Sequence, residues 1–203
     1  MKLLQENIEG LRKINKLPEE LKDFLQNDDV QQALVDGDIN KLYELFSGPS
    51  SRNRMAYYSV IYKLTYLLYS IGIDPLLYLN HIPDNFLGCA SKKSIVIPGN
   101  IVSIGKKAFQ ECKNLTTVVI EDGVKSIKDY AFVGCTKLTN VTLPSSIESI
   151  GIFIFTRCEQ LADINYKGTT ATWKSIILDN NWSFPDHTKT IHCIDGDINY
   201  KVV

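Results

Sequence analysis

Four cysteines that recur at intervals of 23 residues are the first candidates for chemistry in this chain: Cys89, Cys112, Cys135 and Cys158. In stacked β-strands, which lie about 4.8 Å apart, sulfur atoms at this spacing come near the distance of a disulfide or a metal site. Zinc sites, however, usually take ligands from pairs separated by about two to four residues, and a regular column is not a tetrahedron. Each cysteine also lies between an aromatic and a leucine position, where a small apolar side chain fits. We therefore predict that the column packs in a core and binds no metal.

His192 and Cys193 are neighbours in the chain and suggest a thiol nucleophile with its base. Consecutive residues of a β-strand point to opposite faces of the sheet, so these two side chains cannot form that pair. No other cluster of titratable residues suggests an active site. The sequence therefore predicts a protein that is not an enzyme and that uses no cofactor.

Two segments, 36–40 and 195–199, copy the opening of a calcium-binding loop. An EF-hand loop needs glycine at its sixth position and a bidentate glutamate at its twelfth. Lys41 and Tyr200 occupy the sixth positions, the first loop has Ser47 at the twelfth, and the second runs out of chain. We interpret both segments as turns.

The composition excludes several partners. The chain has 203 residues, of which 44% are hydrophobic and 22% charged, and its net charge is −1. This composition has no excess of positive charge that would favour binding to nucleic acid or to an anionic membrane. The most apolar stretch, 55–73, is interrupted by Ser59, Lys63 and Thr65, so we predict a buried helix rather than a membrane span. Because the first residues contain no signal-peptide pattern, the expected location is the cytoplasm.

Beyond the cysteines, a 23-residue repeat organises the second half of the chain. Aligning the chain with itself at this spacing superposes apolar residues in many positions. The main columns are Ile101, Val124 and Ile147; Ile104, Ile127 and Ile150; Phe109, Phe132 and Phe155; Leu115, Leu138 and Leu161; and Val118, Val141 and Ile164. Such agreement indicates stacked copies of one structural unit.

Each repeat combines one strand with one compact turn. Val118 and Ile120 alternate with their neighbours, which is the period of a half-buried strand. Turn-forming residues follow each strand, and an Ala-Phe-x-x-Cys segment comes next. One such unit cannot bury its own apolar face, but stacked units can. The sequence predicts five strands in the sheet, near 94–97, 117–120, 140–143, 163–166 and 190–193.

The repeat resembles the BspA-type (Treponema pallidum-type) bacterial leucine-rich repeat. The pattern I-P-x-x-[IV]-x-S-I-G-x-x-A-F-x-x-C-x-x-L-T-x-[VI] runs from Ile97 to Val118 and recurs, with drift, in the next two units. The segment around Trp173, Trp182 and His192 resembles the closing repeat of that family. The resemblance covers about residues 84–199. It implies a right-handed solenoid and a protein-binding role, and it transfers no catalytic residues.

Residues 1–80 lack the repeat and carry helical spacing, so we predict an N-terminal α-helical domain over residues 1–83 that covers the open edge of the solenoid. Asp28 or Asp29 is expected to cap a short helix that ends at Val35, and Asp38 to cap the next one. The segment 70–76 resembles the helical lead-in of small repeat proteins encoded by bacteriophages. The predicted fold class is therefore α+β, with helices in 1–83 and a short leucine-rich-repeat solenoid in 84–203.

The outward face of the predicted sheet is the candidate binding surface, because solenoids bind through such faces. The alternative is a sheet that is merely solvated. The candidate residues lie in three outward columns of the repeat, and they are Thr117, Val119, Glu121, Asn140, Thr142, Asp163, Asn165, Lys167 and His192.

The leading functional prediction is a non-enzymatic protein–protein interaction module. The bacteriophage resemblance implies a phage-encoded protein that binds or inhibits a bacterial host protein, such as a defence or regulatory factor, in the host cytoplasm. Two alternatives stay open. One is a structural, assembly or virion-associated component that forms homo-oligomers. The other is a surface adhesion protein, which requires export.

Overall fold

The computed structural model describes residues 27–36, 38, 40–41, 44–45, 65, 74–77, 79–86, 92–178 and 190–199. The chain divides into two compact units, Met1–Leu79 and Asn80–Val203.

In the first unit, helix α1 spans Asp28–Asp36. The side-chain oxygen of Asn27 accepts a hydrogen bond from the Val30 N–H at 3.2 Å, which satisfies one of the free donors at the helix start. The sequence predicted this helix correctly but placed its cap at Asp28 or Asp29, and that is wrong by one or two residues. Both aspartates lie in the first turn, where negative charge is favoured by the helix dipole.

The predicted cap at Asp38 is confirmed, since its carboxylate accepts a hydrogen bond from the Lys41 N–H at 2.9 Å. A short 3-10 helix follows at Pro75–Leu77. In the part of the chain that the structure describes, no helix is long and apolar enough to cross a bilayer. The other predicted helices, and the predicted covering of the solenoid edge, lie outside the described residues.

The second unit is a β-solenoid in which every coil contributes one long and one short strand. The strands in chain order are β1 His81–Ile82, β2 Ser94–Ile97, β3 Ser103–Ile104, β4 Thr117–Ile120, β5 Ser126–Ile127, β6 Asn140–Leu143, β7 Ser149–Ile150, β8 Asp163–Tyr166, β9 Ile177–Leu178, β10 Thr190–Cys193 and β11 Gly196–Asn199. A short helix, α2, spans Thr170–Ser175. The five predicted strands are confirmed at their predicted positions.

Two sheets result from this arrangement. The long strands form one sheet in the order β11-β10-β8-β6-β4-β2, and the short strands form another in the order β1-β3-β5-β7-β9. All pairings are parallel except that of β10 with β11, which is antiparallel. The prediction of a five-stranded sheet missed β11.

The register confirms the repeat. Val96 pairs with Val119, and Val119 pairs with Thr142, so equivalent residues lie side by side. The first coil is one residue shorter, because His81 pairs with Ser103 and Ile82 with Ile104. A strict 23-residue spacing before Ile104 would place His81 in the isoleucine column, but the buried residue there is Ile82.

Four phenylalanines form the centre of the core and are almost completely buried. The ring centroids of Phe109 and Phe132 are 5.1 Å apart, and those of Phe132 and Phe155 are 5.7 Å apart, both in stacked arrangements. Phe86 meets Phe109 edge to face at 5.9 Å. The aromatic column therefore runs through successive coils without a break.

The cysteine column lies beside these rings. Cys135 and Cys158 are free and buried, and their thiols donate hydrogen bonds to the carbonyl oxygens of Phe109 and Phe132, respectively. Packing of the column is confirmed for these two residues. Cys112 is also buried in the core, as predicted, but it is disulfide-bonded, which the prediction did not include. The partner of Cys112, and Cys89 itself, lie outside the described residues.

Successive coils approach closely at the turns that follow the long strands. A Cβ atom on Gly123 would lie 2.1 Å from the carbonyl oxygen of Gly99, and one on Gly99 would lie 2.2 Å from that of Asp122. Gly123 also has a φ of 120°, which side-chain-bearing residues rarely adopt. Glycine is therefore required at this contact.

The Ala-Phe-x-x-Cys turns carry left-handed residues that are not glycine. Lys107, Tyr130 and Phe153 occupy the same repeat position with φ values of 56°, 58° and 56°. Hydrogen bonds between coils hold this conformation: the Lys107 N–H donates to the Asp129 carbonyl, and the Tyr130 N–H donates to the Ile152 carbonyl. The turns thus form a third hydrogen-bonded ladder along the solenoid.

Candidate functional site

The outward side of the long-strand sheet is a continuous exposed surface. The buried and accessible residues of its strands alternate, which places every second side chain outside. We call this surface the strand face, and its two main columns are Ser94, Thr117, Asn140, Asp163, Thr190 and Asn199, and Val96, Val119, Thr142, Asn165, His192 and Asp197.

The structure brings the predicted site residues together on this face. Thr117, Val119, Asn140, Thr142, Asp163, Asn165 and His192 lie in the two main columns, and Glu121 and Lys167 lie just beyond the strand ends. All nine are exposed or half-buried. Their outward position is thus established, whereas their role in binding stays a prediction.

The first strands of the face form an apolar end, defined by Val96 and Val119. Val96 is 50% exposed, and it pairs directly with Val119 on the neighbouring strand. Ser94 and Thr117 flank the two valines in the adjacent column. Two neighbouring valines at the surface offer a small apolar contact to another molecule.

The centre of the face is small and uncharged. Asn140 and Thr142 share strand β6, and the Asn140 amide nitrogen donates to the Thr139 hydroxyl at 2.9 Å. Short side chains on a twisted but regular sheet leave the backbone accessible to an approaching chain. No large side chain obstructs the face between the apolar end and strand β8.

The last strands form an acidic end, defined by Asp163, His192 and Asp197. The Nδ1 atom of His192 lies 2.9 Å from a carboxylate oxygen of Asp197, and its Nε2 atom lies 3.8 Å from a carboxylate oxygen of Asp163. All three side chains are between 42% and 51% exposed. Two carboxylates with at most one positive charge make this end negative, whichever form the imidazole takes.

The sequence analysis did not predict strand β11, which contributes Asp197 to the acidic end. The segment 195–199 was interpreted as a turn, but only Ile194 and Asp195 turn, and Gly196–Asn199 pairs with β10 as a hairpin strand. Asp195 followed by Gly196, between alternating residues, is a hairpin signal that the sequence offers. The hairpin adds Asp197 and Asn199 to the face.

Beyond the strand ends, the third outward column is uneven. Ile194 is 72% exposed, while Pro144, which lies one repeat after Glu121, is buried. The Asp195 carboxylate accepts hydrogen bonds from the backbone N–H and the hydroxyl of Thr170, at 2.7 and 3.2 Å. Asp195 therefore joins the hairpin turn to the start of α2.

His192 and Cys193 do not form a nucleophile–base pair. The imidazole binds Asp197, and the half-buried Cys193 is the following residue on the strand. Burial, followed by the negative charges of Asp195 and Asp197, raises the pKa of the Cys193 thiol. Among the residues that the structure describes, no three His, Cys, Asp or Glu side chains are grouped to hold a metal ion.

A second surface feature lies on the Ala-Phe-x-x-Cys turns and was not foreseen. The rings of Tyr130 and Phe153 stack with centroids 5.5 Å apart, and the ammonium groups of Lys106 and Lys107 lie 5.8 and 5.9 Å from the Tyr130 centroid. The shared repeat position of Lys107, Tyr130 and Phe153 was visible in the sequence. Because the two rings stack on each other and the two ammonium groups lie near the Tyr130 ring, these contacts stabilise the turns.

Fold and surface together define a class: a short parallel β-solenoid with 23-residue coils and an exposed long-strand sheet. Residues 80–192, more than half of the chain, match the BspA type leucine rich repeat region in six copies. The protein belongs to this family. The match and strand β1 both begin before residue 84, where the sequence analysis placed the start of the repeats.

Solved structures with similarity include a leucine rich repeat protein of T. pallidum, with 23% identity over 56% of this chain and a TM-score of 0.38. A leucine-rich repeat protein from Bacteroides ovatus has 26% identity over 57% of this chain and a TM-score of 0.37. The aligned region covers 56% of the first protein and 25% of the second. A leucine rich cell surface protein from Faecalibacterium prausnitzii has 20% identity over 58% of this chain, 44% of its own, and a TM-score of 0.32. A search of curated proteins found no match.

Proposed function

We propose that this protein is a protein–protein interaction module that binds its partner through the strand face. The observation that carries the proposal is the continuous exposed sheet, which presents small polar side chains between an apolar and an acidic end. Leucine-rich-repeat solenoids use such extended surfaces for binding.

The size of the face favours an extended segment of a partner over a globular domain. Five spacings between six strands give a width of about 24 Å, and four residues along a strand give about 13 Å. The product, about 300 Å², is well below the roughly 800 Å² that each partner buries in a standard interface. A peptide segment matches this area, and a larger partner must also contact the surrounding turns.

The test places one large charged side chain at the centre of the face. Thr142→Arg is the variant, and Gln160→Arg, in an exposed turn outside the strands, is the matched control. Partners captured with the native protein are then measured individually against both variants by calorimetry. We expect Thr142→Arg to weaken binding at least tenfold and Gln160→Arg to leave it unchanged. Equal binding by Thr142→Arg and the native protein would contradict the proposal.

A phage-encoded protein that inhibits a host protein in the host cytoplasm is a hypothesis that rests on the N-terminal resemblance alone. Assembly into homo-oligomers is a separate hypothesis. A monomeric mass by light scattering at high protein concentration would contradict self-assembly.

The disulfide at Cys112 favours a second candidate, a surface or secreted binding protein. Disulfides persist in oxidising compartments and are rare in the cytosol. Rapid alkylation of intact cells, followed by mass spectrometry, reads the state of Cys112 where the protein functions. A reduced Cys112 in the cytosolic fraction would reject this candidate, and an oxidised Cys112 in the exported fraction would support it.

A further inference from the structure

We infer that the partner segment carries an arginine that binds the acidic end of the strand face and an aliphatic side chain that contacts the apolar end. This inference rests on the proposed function, and it adds the chemistry and the spacing of what is bound. It follows from the different character of the two ends of one exposed sheet.

The acidic end suits a planar cation better than a point charge. Asp163 and Asp197 lie on opposite sides of the His192 ring. A guanidinium group can donate to both carboxylates and stack on the imidazole plane, whereas an ammonium group cannot stack. The exposed side chain of Ile194, two residues beyond His192, offers a surface for the aliphatic stem.

Among the residues that the structure describes, Lys167 does not cancel the negative charge of this end. Lys167 follows strand β8 and lies four residues after Asp163, which is about 13 Å along an extended chain. At physiological salt the Debye length is about 8 Å, so its effect on Asp163 is largely screened. A basic group of a partner that sits directly on the carboxylates is screened much less.

The apolar end defines the second contact. Val96 keeps 50% of its surface exposed, although it is an aliphatic residue in a paired strand. A partner side chain that covers Val96 and Val119 removes apolar surface from water on both molecules. An aliphatic side chain matches this contact, because the two valines offer only a narrow apolar strip that is flanked by the polar Ser94 and Thr117.

Strand spacing fixes the separation of the two contacts. From Val119 on β4 to Asp163 on β8 is two strand spacings, about 10 Å, and from Val96 on β2 to Asp197 on β11 is five spacings, about 24 Å. An extended chain that crosses the strands advances about 3.3 Å per residue. The aliphatic residue and the arginine are therefore three to seven residues apart in the partner.

A random library of displayed twelve-residue peptides, selected on the full-length protein, tests this directly. We expect enriched peptides to contain an arginine three to seven residues from Leu, Ile, Val or Met. Enriched peptides without an arginine, including those that carry lysine instead, would overturn the inference, and so would a library from which nothing is enriched.

A synthetic enriched peptide then allows a double-variant test. Replacing its arginine with citrulline keeps the shape and removes the charge, and the expected loss of affinity is at least tenfold. In the protein, Asp163→Asn with Asp197→Asn should produce a similar loss, after which citrulline should cost little more. Glu159→Gln, in an exposed turn, is the control for removing a negative charge elsewhere. Equal affinity of the arginine and citrulline peptides would overturn the inference.

Thr142→Arg separates the failure of this inference from failure of the proposed function. Peptides that lose binding to Thr142→Arg but show no need for arginine would leave the strand face as the binding surface and reject only the partner chemistry. Peptides that bind Thr142→Arg normally would reject both.

Discussion

The aromatic column predicts a large loss of stability when its central ring is removed. Phe132 is 0% exposed and stacks on Phe109 and Phe155 at 5.1 and 5.7 Å. Truncation of a buried phenylalanine to alanine costs roughly 3–5 kcal/mol through lost burial and the remaining cavity. Because both neighbouring rings belong to other coils, collapse around the cavity would disturb three coils at once. We therefore expect Phe132→Ala to cost about 4 kcal/mol.

Urea unfolding followed by circular dichroism measures this loss. With a slope of about 2 kcal/mol per molar urea, the midpoint should fall by about 2 M. Phe132→Leu keeps much of the volume but loses both ring contacts, each worth roughly 0.5–1.5 kcal/mol, so an intermediate midpoint is expected. Thr142→Ala, on the exposed face, should change stability by less than about 0.5 kcal/mol. A loss below about 1 kcal/mol for Phe132→Ala would refute the close packing of the column.

Three further outcomes are expected. Gly123→Ala should destabilise the protein by about 3 kcal/mol or more in thermal unfolding. Gly196→Ala is the control, since Gly196 also has positive φ but has nothing within 4 Å of its Cβ position, and it should cost only about 1–2 kcal/mol. Equal losses would contradict the close contact between coils. A reductant should lower the stability of the native protein by roughly 2–4 kcal/mol, the loss expected when a disulfide opens, and should leave the stability of Cys112→Ser unchanged. A native protein whose stability does not respond to reductant would argue against the disulfide. In the native protein a maleimide should label Cys193, and the reaction should be slow at about pH 8 because the raised pKa of this thiol leaves less thiolate. The buried Cys135 should be labelled only after unfolding. Rapid labelling of Cys135 in the native protein would contradict its burial.

The repeat made most of the fold predictable. Alternation around Val118 and Ile120 sets which side chains point inward, and the 23-residue spacing carries that assignment to each coil. The outward columns of the strand face follow from the same rule. For this reason the predicted strand positions agree with the structure and the candidate residues lie on the outward side of the sheet, while their role in binding stays a prediction.

The features that escaped prediction are those that depart from the repeat. The hairpin strand β11 is antiparallel and has no equivalent in the other repeats, so the 23-residue spacing does not predict it. The only sequence signal of its turn is Asp195 followed by Gly196. The single-residue contraction of the first coil moves Ile82 into the column assigned to His81. At Cys112 the spacing was compatible with both packing and a disulfide, and residue types could not decide between them.

The left-handed conformation of the turns could not be predicted from the sequence for a different reason. Tyr130 and Phe153 are poor candidates for positive φ by local preference. Hydrogen bonds from one coil to the next impose the conformation, and the stacked rings compensate part of its cost. Such a balance between local preference and contacts with other coils is not visible in a short sequence window.

The antiparallel strand β11 also determines how this architecture can change length. Since β11 occupies the free edge of β10, a further parallel coil cannot be appended there. Duplication of an internal coil, by contrast, preserves both neighbours of the inserted copy. Each such duplication would lengthen the sheet by about 4.8 Å and move the two valines away from the aspartates by that step. In evolution, duplication of coils would therefore keep the apolar and acidic ends and change the distance between them in fixed increments.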